Sequence, residues 1–517
     1  MTVPQSRIAT SDPAAAGGPV PAMAAREDSA ITSSAEEAIP FLVAGERVRG
    51  SGPTFVSRNP ATGEANYRVC SASAADVDHC VAVARQAVEQ PSWQGLRPHE
   101  RARFLYAIAD VMTKQADRLA AIQMRENGKV LAECRVQVAS AAATFRYYGA
   151  LCETLASEVT PARGNYISMT LYEPHGVVAA ITPWNSPLTM EAQKIAPAIA
   201  AGNAVVVKPS EVTPTIALAV AEIAHDAGLP AGLLNVLTGT GQSTGIPLVQ
   251  HPDVRMISFT GGVGTGKAIG RVAADRLVPV VLELGGKSPN IVFADADIEQ
   301  ALDGVAGGIF EGSGQSCVAG SRMFVQRSIY ARAVEGLRRR AQSITVGLPS
   351  DPASKMGPIA SFSHRDRVES FVASALSEGG EIVAGGRRPD DPKLAAGAFY
   401  LPTVIAGLTN QATACREEIF GPVLCVLPFD DEADLIAQAN DSSFGLACGI
   451  WTGDYKKALR VASAIQAGTI WVNTYKQLSI STPFGGFKDS GLGREKGIAG
   501  LRLYQQSKSL YLGLDGR

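Results

Sequence analysis

Three short segments carry side chains whose types and spacing could do covalent chemistry. Gly314-Gln315-Ser316-Cys317-Val318-Ala319-Gly320 sets a thiol in a glycine-flanked loop that reads as the opening of a helix. There the N-terminal dipole and nearby donors would lower its pKa and make it a nucleophile; the other reading is an inert structural cysteine. Upstream, Leu282-Glu283-Leu284-Gly285-Gly286-Lys287 places a carboxylate inside an apolar strand. Burial raises the pKa of such a group toward that of a general base, unless Lys287 or another cation pairs with it. Phe259-Thr260-Gly261-Gly262-Val263-Gly264-Thr265-Gly266-Lys267 puts glycines between a strand and a helix, where backbone N–H groups can approach a phosphate. The spacing is not the common dinucleotide fingerprint, and Ala268 after Lys267 excludes a Walker-type loop, so a turn with no ligand fits equally well. None of the six histidines has a local signature that would mark it as the activator of a thiol.

These groups need a large scaffold, and the composition supplies one. The 517 residues correspond to roughly three domains at ~150 residues each. Apolar residues make up 46% and charged ones 19%, enough for extensive buried cores. Lys and Arg number 47 against 49 Asp and Glu, a net charge of -2 that argues against charge-driven nucleic-acid or membrane partners. The longest apolar stretch, 195–207, is broken by Pro197, Gly202 and Asn203 and falls short of the ~20 residues that span a bilayer. Eight scattered cysteines without a Cys-x-x-Cys pair predict free thiols, no metal site and a cytoplasmic protein. Residues 1–35, rich in Ala, Ser, Pro and Thr, read as a disordered tail.

The order of elements predicts an α/β fold. Val77, Cys80, Val81, Ala84, Ala87 and Val88 recur at helical spacing, and a longer helical stretch from Arg101 carries Phe104 to Ile122. Strand-like runs at 176–181, 204–207, 234–237, 256–259 and 278–284 alternate with helical stretches such as 215–227, the pattern of a mostly parallel sheet covered on both faces. A second α/β pattern begins at 290–293 and runs to about residue 488. The end of the chain reads as a helix over 494–503 followed by a β-prone run over 507–512.

Taken together, the motifs resemble the aldehyde dehydrogenase superfamily. Pro183-Trp184-Asn185, Lys208-Pro209-Ser210-Glu211, the Gly261–Gly266 turn, Glu283-Leu284-Gly285-Gly286-Lys287, Gly314-Gln315-Ser316-Cys317 and Glu418-Ile419-Phe420-Gly421-Pro422 occur in family order. Pro483-Phe484-Gly485-Gly486 and Ser490-Gly491-Leu492-Gly493-Arg494-Glu495 close the series, so the resemblance spans about residues 37–514. It implies a Rossmann-like coenzyme domain over 36–154 and 173–285 and a catalytic α/β domain over 286–488. A small β bridging and oligomerisation element is implied over 155–172 and 489–517.

By the same resemblance Cys317 is the nucleophile, and the Asn185 amide with the Cys317 N–H forms the oxyanion hole. Glu283 then activates the water that resolves a thioester, the hydrolytic rather than the acyl-CoA route. Lys194 and Glu495 match proton-relay positions. NAD+ is the implied cofactor, with NADP+ the second option, because Glu211 beside Lys208 would repel a 2′-phosphate. The implied cofactor contacts are Ile181, Thr182, Pro183, Trp184, Lys208, Ser210, Glu211, Gly261, Gly262, Gly266, Leu284, Glu418 and Phe420. Gly262 departs from the family's usual serine and removes one hydroxyl donor near the pyrophosphate.

Positions matching the family's substrate tunnel read Ser186, Met190, Gln193, Glu311, Ser316, Val318, Tyr475, Leu478 and Phe484. Several are small or polar, which suits a polar or semialdehyde-type aldehyde, unless Gln193 and Glu311 face solvent or a neighbour. The expected assembly is a homodimer or homotetramer, since end strands of this kind pair across subunits in the family. Two rival classes remain at this stage: a cofactor-independent thiol esterase using Cys317, and a non-catalytic protein that keeps the fold.

Overall fold

A computed structural model describes residues 37–514, so the predicted tail over 1–35 lies outside the described residues. The runs read as strands form the centre of an eight-stranded sheet. Its middle order is Leu234–Val236, Ala204–Lys208, Val177–Ile181, Val254–Thr260 and Val280–Glu283, all parallel. Ala204–Lys208 is buried along its whole length, and only the last residue of Val177–Ile181 is not. Near-continuous apolar sequence is what a strand covered on both faces requires.

The connections fix a switch in direction. From Val177–Ile181 the chain passes through helix Pro187–Ala201 to the strand on one side, then through helix Pro214–Asp226 to the next one out. It then crosses over to Val254–Thr260 on the other side, and helix Val263–Arg276 leads to Val280–Glu283. This is the strand order of a doubly wound nucleotide-binding sheet, which leaves a crevice at the strand ends where the direction reverses. The helical stretch from Arg101 is two helices, Pro98–Lys114 and Ala116–Asn127, on the same core as helix Ala74–Glu89. That first helix starts from a capping box between Ser73 and Asp76.

The second pattern forms a seven-stranded sheet: Glu381–Ala384, Thr403–Ala406, Val423–Phe429, Arg322–Gln326, Pro289–Val292, Ala447–Trp451 and Thr469–Val472. Only the first of these runs antiparallel to its neighbour. A three-stranded sheet of Glu158–Thr160, Tyr166–Pro174 and Gln505–Gly513 stands apart from both.

The end of the chain corrects two expectations. Residues 489–504 do not belong to the bridging element. Gly491–Leu492 closes the edge of the first sheet against Leu282 and Glu283, and Leu501 and Tyr504 sink into its core. The strands of the separate three-stranded sheet fall between Glu158 and Pro174 and over Gln505–Gly513. The helix read over 494–503 starts only at Gly497, because Glu495 exchanges both backbone hydrogen bonds with Phe484 and Lys496 takes a positive φ of 63°.

The buried Arg322 ties the second sheet to its surrounding loops. Its guanidinium donates to the carbonyl of Lys287 at 3.0 Å, to Asn410 Oδ1 at 3.0 Å and to the carbonyl of Ala439 at 3.1 Å. Arg322→Met keeps the bulk but strands these acceptors, at a cost of ~3 kcal/mol or more. The expected outcome is earlier unfolding in a urea titration followed by tryptophan fluorescence.

Candidate active site

The crevice of the first sheet is where the sequence motifs meet. Val177–Ile181 delivers Thr182, Pro183, Trp184 and Asn185 to it, and Val254–Thr260 delivers Gly261 and Gly262. Gly262 caps helix Val263–Arg276, and a Cβ there would meet nothing within 4 Å, so the backbone is bare on that side. A cleft of about 1140 Å³ takes in both crevice segments together with Glu283, Cys317, Glu418 and Phe420.

Along the nucleotide side, Lys208 Nζ lies 3.3 Å from Glu211 Oε1, which also accepts from the Gly241 N–H at 2.8 Å. Ser210 Oγ caps the turn by accepting from the Val212 N–H at 3.3 Å. Ile181 ends its strand half-buried, while Thr182 and Leu284 are buried. Glu418 Oε1 accepts from the Gly286 N–H at 2.9 Å, and burial raises its pKa. The rings of Trp184 and Phe420 meet edge-on at 5.3 Å, and His364 Nε2 bonds the Phe420 carbonyl at 2.8 Å. Gly266 is a correction. It is buried, and a Cβ there would strike the Leu284 side chain, so its role is to pack the helix onto the sheet rather than to face the cleft. An anion-accepting helix end, a buried carboxylate and an aromatic pair in one cleft fit a dinucleotide.

Cys317 lies in a turn between the short 3₁₀ segment Glu311–Gly314 and strand Arg322–Gln326. No helix opens at Cys317, which removes the dipole the sequence suggested. Close backbone approaches hold the turn in place. Gly314 has a φ of 70° and presses on the Gly421 carbonyl, and a Cβ at Gly286 would come within 2.5 Å of the Cys317 carbonyl. Cys317 is half-buried while the other seven cysteines are buried. Burial first, then the carboxylates of Glu283 and Glu418, push its thiol up to about 12, opposed by the Val318 N–H and by Lys496. The expectation of a lowered thiol pKa is therefore overturned for the protein alone. Asn185 Nδ2 donates to the Gln315 carbonyl at 3.0 Å, which leaves its second N–H free beside the cysteine turn.

Glu283 ends its strand at 4% exposure, and neither carboxylate oxygen has a partner. The ion pair with Lys287 does not form, since the Lys287 ammonium is itself buried without a partner. Burial, reinforced by the Glu495 charge and opposed by Lys194, Arg494 and Lys496, holds the Glu283 carboxyl well above the usual range. Lys194 Nζ is 2.7 Å from Glu495 Oε1 and 3.0 Å from Ser258 Oγ, and Tyr504 donates to Ser258 Oγ at 3.1 Å.

The tunnel positions divide. Ser186, Met190, Ser316, Val318, Leu478 and Phe484 line the cleft. Gln193 also lines it, but its amide is bonded to Glu495 and so belongs to the relay pair's surroundings. Glu311 lines the cleft as well but is largely exposed, 4.0 Å from Lys476 Nζ. Tyr475 does not line the cleft: its hydroxyl donates to the Val318 carbonyl at 3.0 Å and its ring packs on Trp471, so it supports the wall from behind. Sequence reasoning missed Lys476, Lys496, Gln137 and Tyr148, all on the cleft wall. Only Lys496 had a nearby signal, its place directly after the Glu495 motif.

A doubly wound nucleotide sheet facing a second α/β layer, with a thiol and an isolated carboxylate in the cleft between them, is the architecture of a nucleotide-dependent dehydrogenase. The chain belongs to the aldehyde dehydrogenase family, whose model matches residues 48–510. Among its relatives, DhaS of Bacillus subtilis (strain 168) is 40% identical over 466 residues, 90% of this chain and 93% of that protein. The NAD+ complex of an aldehyde dehydrogenase from Bacillus cereus superposes with a TM-score of 0.90 at 38% identity, covering 93% of this chain and 98% of that one. A betaine aldehyde dehydrogenase from Staphylococcus aureus in complex with NAD+ gives the same TM-score at 37% identity, covering 92% and 95%.

Two outcomes follow from the electrostatics. With its pKa pushed so far up, Cys317 in the cofactor-free protein should alkylate ~10-fold faster per pH unit from pH 7 to 9, with no plateau, as mass spectrometry of iodoacetamide-treated protein would read. A carboxylate serving as base must be deprotonated, so with Glu283 in that role activity should fall as pH drops through its raised pKa. Glu495→Gln removes a charge that raises that pKa, and the acid limb of the pH–rate profile should move to lower pH.

Proposed function

We propose that this chain oxidises an aldehyde to a carboxylic acid with NAD+, through a thiohemiacetal and a thioester on Cys317. The observation that carries the reading is the unpartnered, buried Glu283 carboxylate sharing a cleft with Cys317 and Asn185. The Cys317 sulfur forms a bond to the aldehyde carbon, and the oxyanion that results meets the free Asn185 N–H and the Cys317 backbone N–H. A donor of this kind is worth ~3–4 kcal/mol in the transition state. Trp184, Gly261, Gly262, Lys208 and Glu211 from the first sheet, with Glu418 and Phe420 from the approach to the second, would hold NAD+, which when bound would accept a hydride from that carbon. Glu283 then takes a proton from the attacking water, the carbon–sulfur bond breaks, and the acid leaves. The Glu495–Lys194 pair behind Glu283 relays that proton onward.

Glu211, held between Lys208 and the Gly241 N–H, would repel a 2′-phosphate on a nucleotide bound beside it, which favours NAD+ over NADP+. The substrate is a polar aldehyde. The three-stranded sheet exposes Val159, Ile167, Leu510, Tyr511 and Leu512, an apolar surface suited to a second copy in a homodimer or homotetramer.

The test is absorbance of reduced nicotinamide with an aldehyde panel. Wild type should turn over; Cys317→Ala should lose activity by ~10³-fold or more. Glu283→Gln should keep a pre-steady-state burst of reduced cofactor but lose steady-state turnover by ~10²-fold. Ester hydrolysis by Cys317 without any cofactor reduction would instead favour the thiol esterase.

A further inference from the structure

Lys496 has no task in the chemistry described so far. Its side chain is only partly exposed, it lines the cleft, and its ammonium stands over the Phe484 ring with Nζ 5.2 Å from the ring centre. Among the described residues its ammonium has neither a hydrogen bond nor an ion pair. The adjacent carboxylate, Glu495, is already taken by Lys194 and Gln193. Its backbone sits at φ 63° and ψ 166°, a region that only glycine occupies without strain. The bridge between Phe484 and Glu495 holds that strain and fixes the direction of the side chain. A partly desolvated cation is unfavourable without an anion beside it. Burial accordingly lowers its pKa, while Glu495, Cys317 and Glu283 act in the opposite sense.

A second ammonium faces the same cleft. Lys476 also has a positive φ, of 57°, and donates to the Gly307 carbonyl at 3.2 Å. Its carboxylate neighbour Glu311 stands 4.0 Å away and is mostly in solvent. Glu133 is occupied by the Gly312 N–H at 2.9 Å, and Lys129 packs against Gly312. Around the Glu311–Gly314 turn and Lys496, the ammonium groups of Lys129, Lys476 and Lys496 share the cleft wall with Glu133, Glu311, Glu283 and Glu495, yet the Lys496 ammonium makes no direct contact with any of these carboxylates.

We propose that Lys496, assisted by Lys476, is a specificity-determining site for a carboxylate on the substrate, so that the preferred aldehydes are short ω-oxo carboxylates. The inference rests on the dehydrogenase reading above and refines its substrate class. A substrate whose aldehyde carbon reaches Cys317 while its carboxylate meets the Lys496 ammonium supplies the missing anion in a site where water is scarce and a charge-assisted bond is strong. The same ammonium repels an aldehyde that carries a fixed cation. The reaction on such a substrate takes one oxygen from water, passes a hydride to NAD+, and releases a dicarboxylate and two protons.

The experiment compares kcat/KM for short ω-oxo carboxylates, n-alkanals of equal length and a trimethylammonium aldehyde, in wild type, Lys496→Met and Lys496→Arg. Wild type should prefer the oxo carboxylates to the alkanals. The ratio of the two should fall by ~10-fold or more in Lys496→Met and recover in part in Lys496→Arg. An equal loss on both classes would overturn the proposal by assigning Lys496 to the thiol instead, as would a wild-type preference for alkanals or for the cation. A readout free of turnover accompanies it: protection of Cys317 from iodoacetamide by a short dicarboxylate, but not by its neutral diamide, in wild type and not in Lys496→Met. Absence of protection, or protection that survives Lys496→Met, also overturns it. Failure of every aldehyde to reduce the cofactor, with protection intact, would count against the dehydrogenase reading and leave the carboxylate site standing.

Discussion

The active site depends on the close backbone approach at the turn that follows Glu283. Gly286 lies against the Cys317 carbonyl, and its N–H holds Glu418. One residue further back, a side chain at Gly285 would collide with the Glu418 carboxylate. Three functional groups from separate stretches of chain are thus gauged against one another by main-chain atoms, which vary far less in position than side chains do. Base, thiol and the Glu418 carboxylate keep their spacing because no larger residue fits between the segments that carry them.

That constraint explains the charge pattern around it. A thiol and two carboxylates packed this closely are mutually unfavourable when ionised, and burial adds to the penalty. The protein places cations at the margins: Lys194 behind Glu495, Lys496 toward the cleft, and Lys287 under the turn. None of them makes a direct ion pair with Glu283, which therefore keeps a high proton affinity. A base for water must be unencumbered, and it is the lack of a partner rather than the presence of one that fits this carboxylate to the proposed role.

Much of this was legible in the sequence. The all-apolar strands, the glycines after Thr260 and the Glu283 and Cys317 motifs survive as local signals because each is set by its immediate neighbours. The failures share a different cause. The thiol's environment depends first on how the fold buries its turn and then on Glu283 and Glu418 from other segments, so a local reading of its loop gave the wrong direction of shift. Tyr475 sits at a tunnel position yet turns behind Val318, since a buried hydroxyl needs an acceptor and finds one there. Lys496 looks like an ordinary helical lysine until the Phe484–Glu495 bridge bends the chain beneath it. The boundary at Gly491 was missed because a two-residue edge strand has no periodicity to read.

The pairing of Gly491–Leu492 with the edge of Val280–Glu283 also orders events during synthesis. Cys317 emerges from the ribosome long before residues 491–504, and until they arrive the edge of the Glu283 strand has no neighbour on that side. Glu495 and Lys496 travel with the same late segment. The growing chain can thus assemble its nucleotide sheet and thiol turn while the base still lacks its relay, and the last strand to dock closes the exposed edge and completes the catalytic surroundings in a single step.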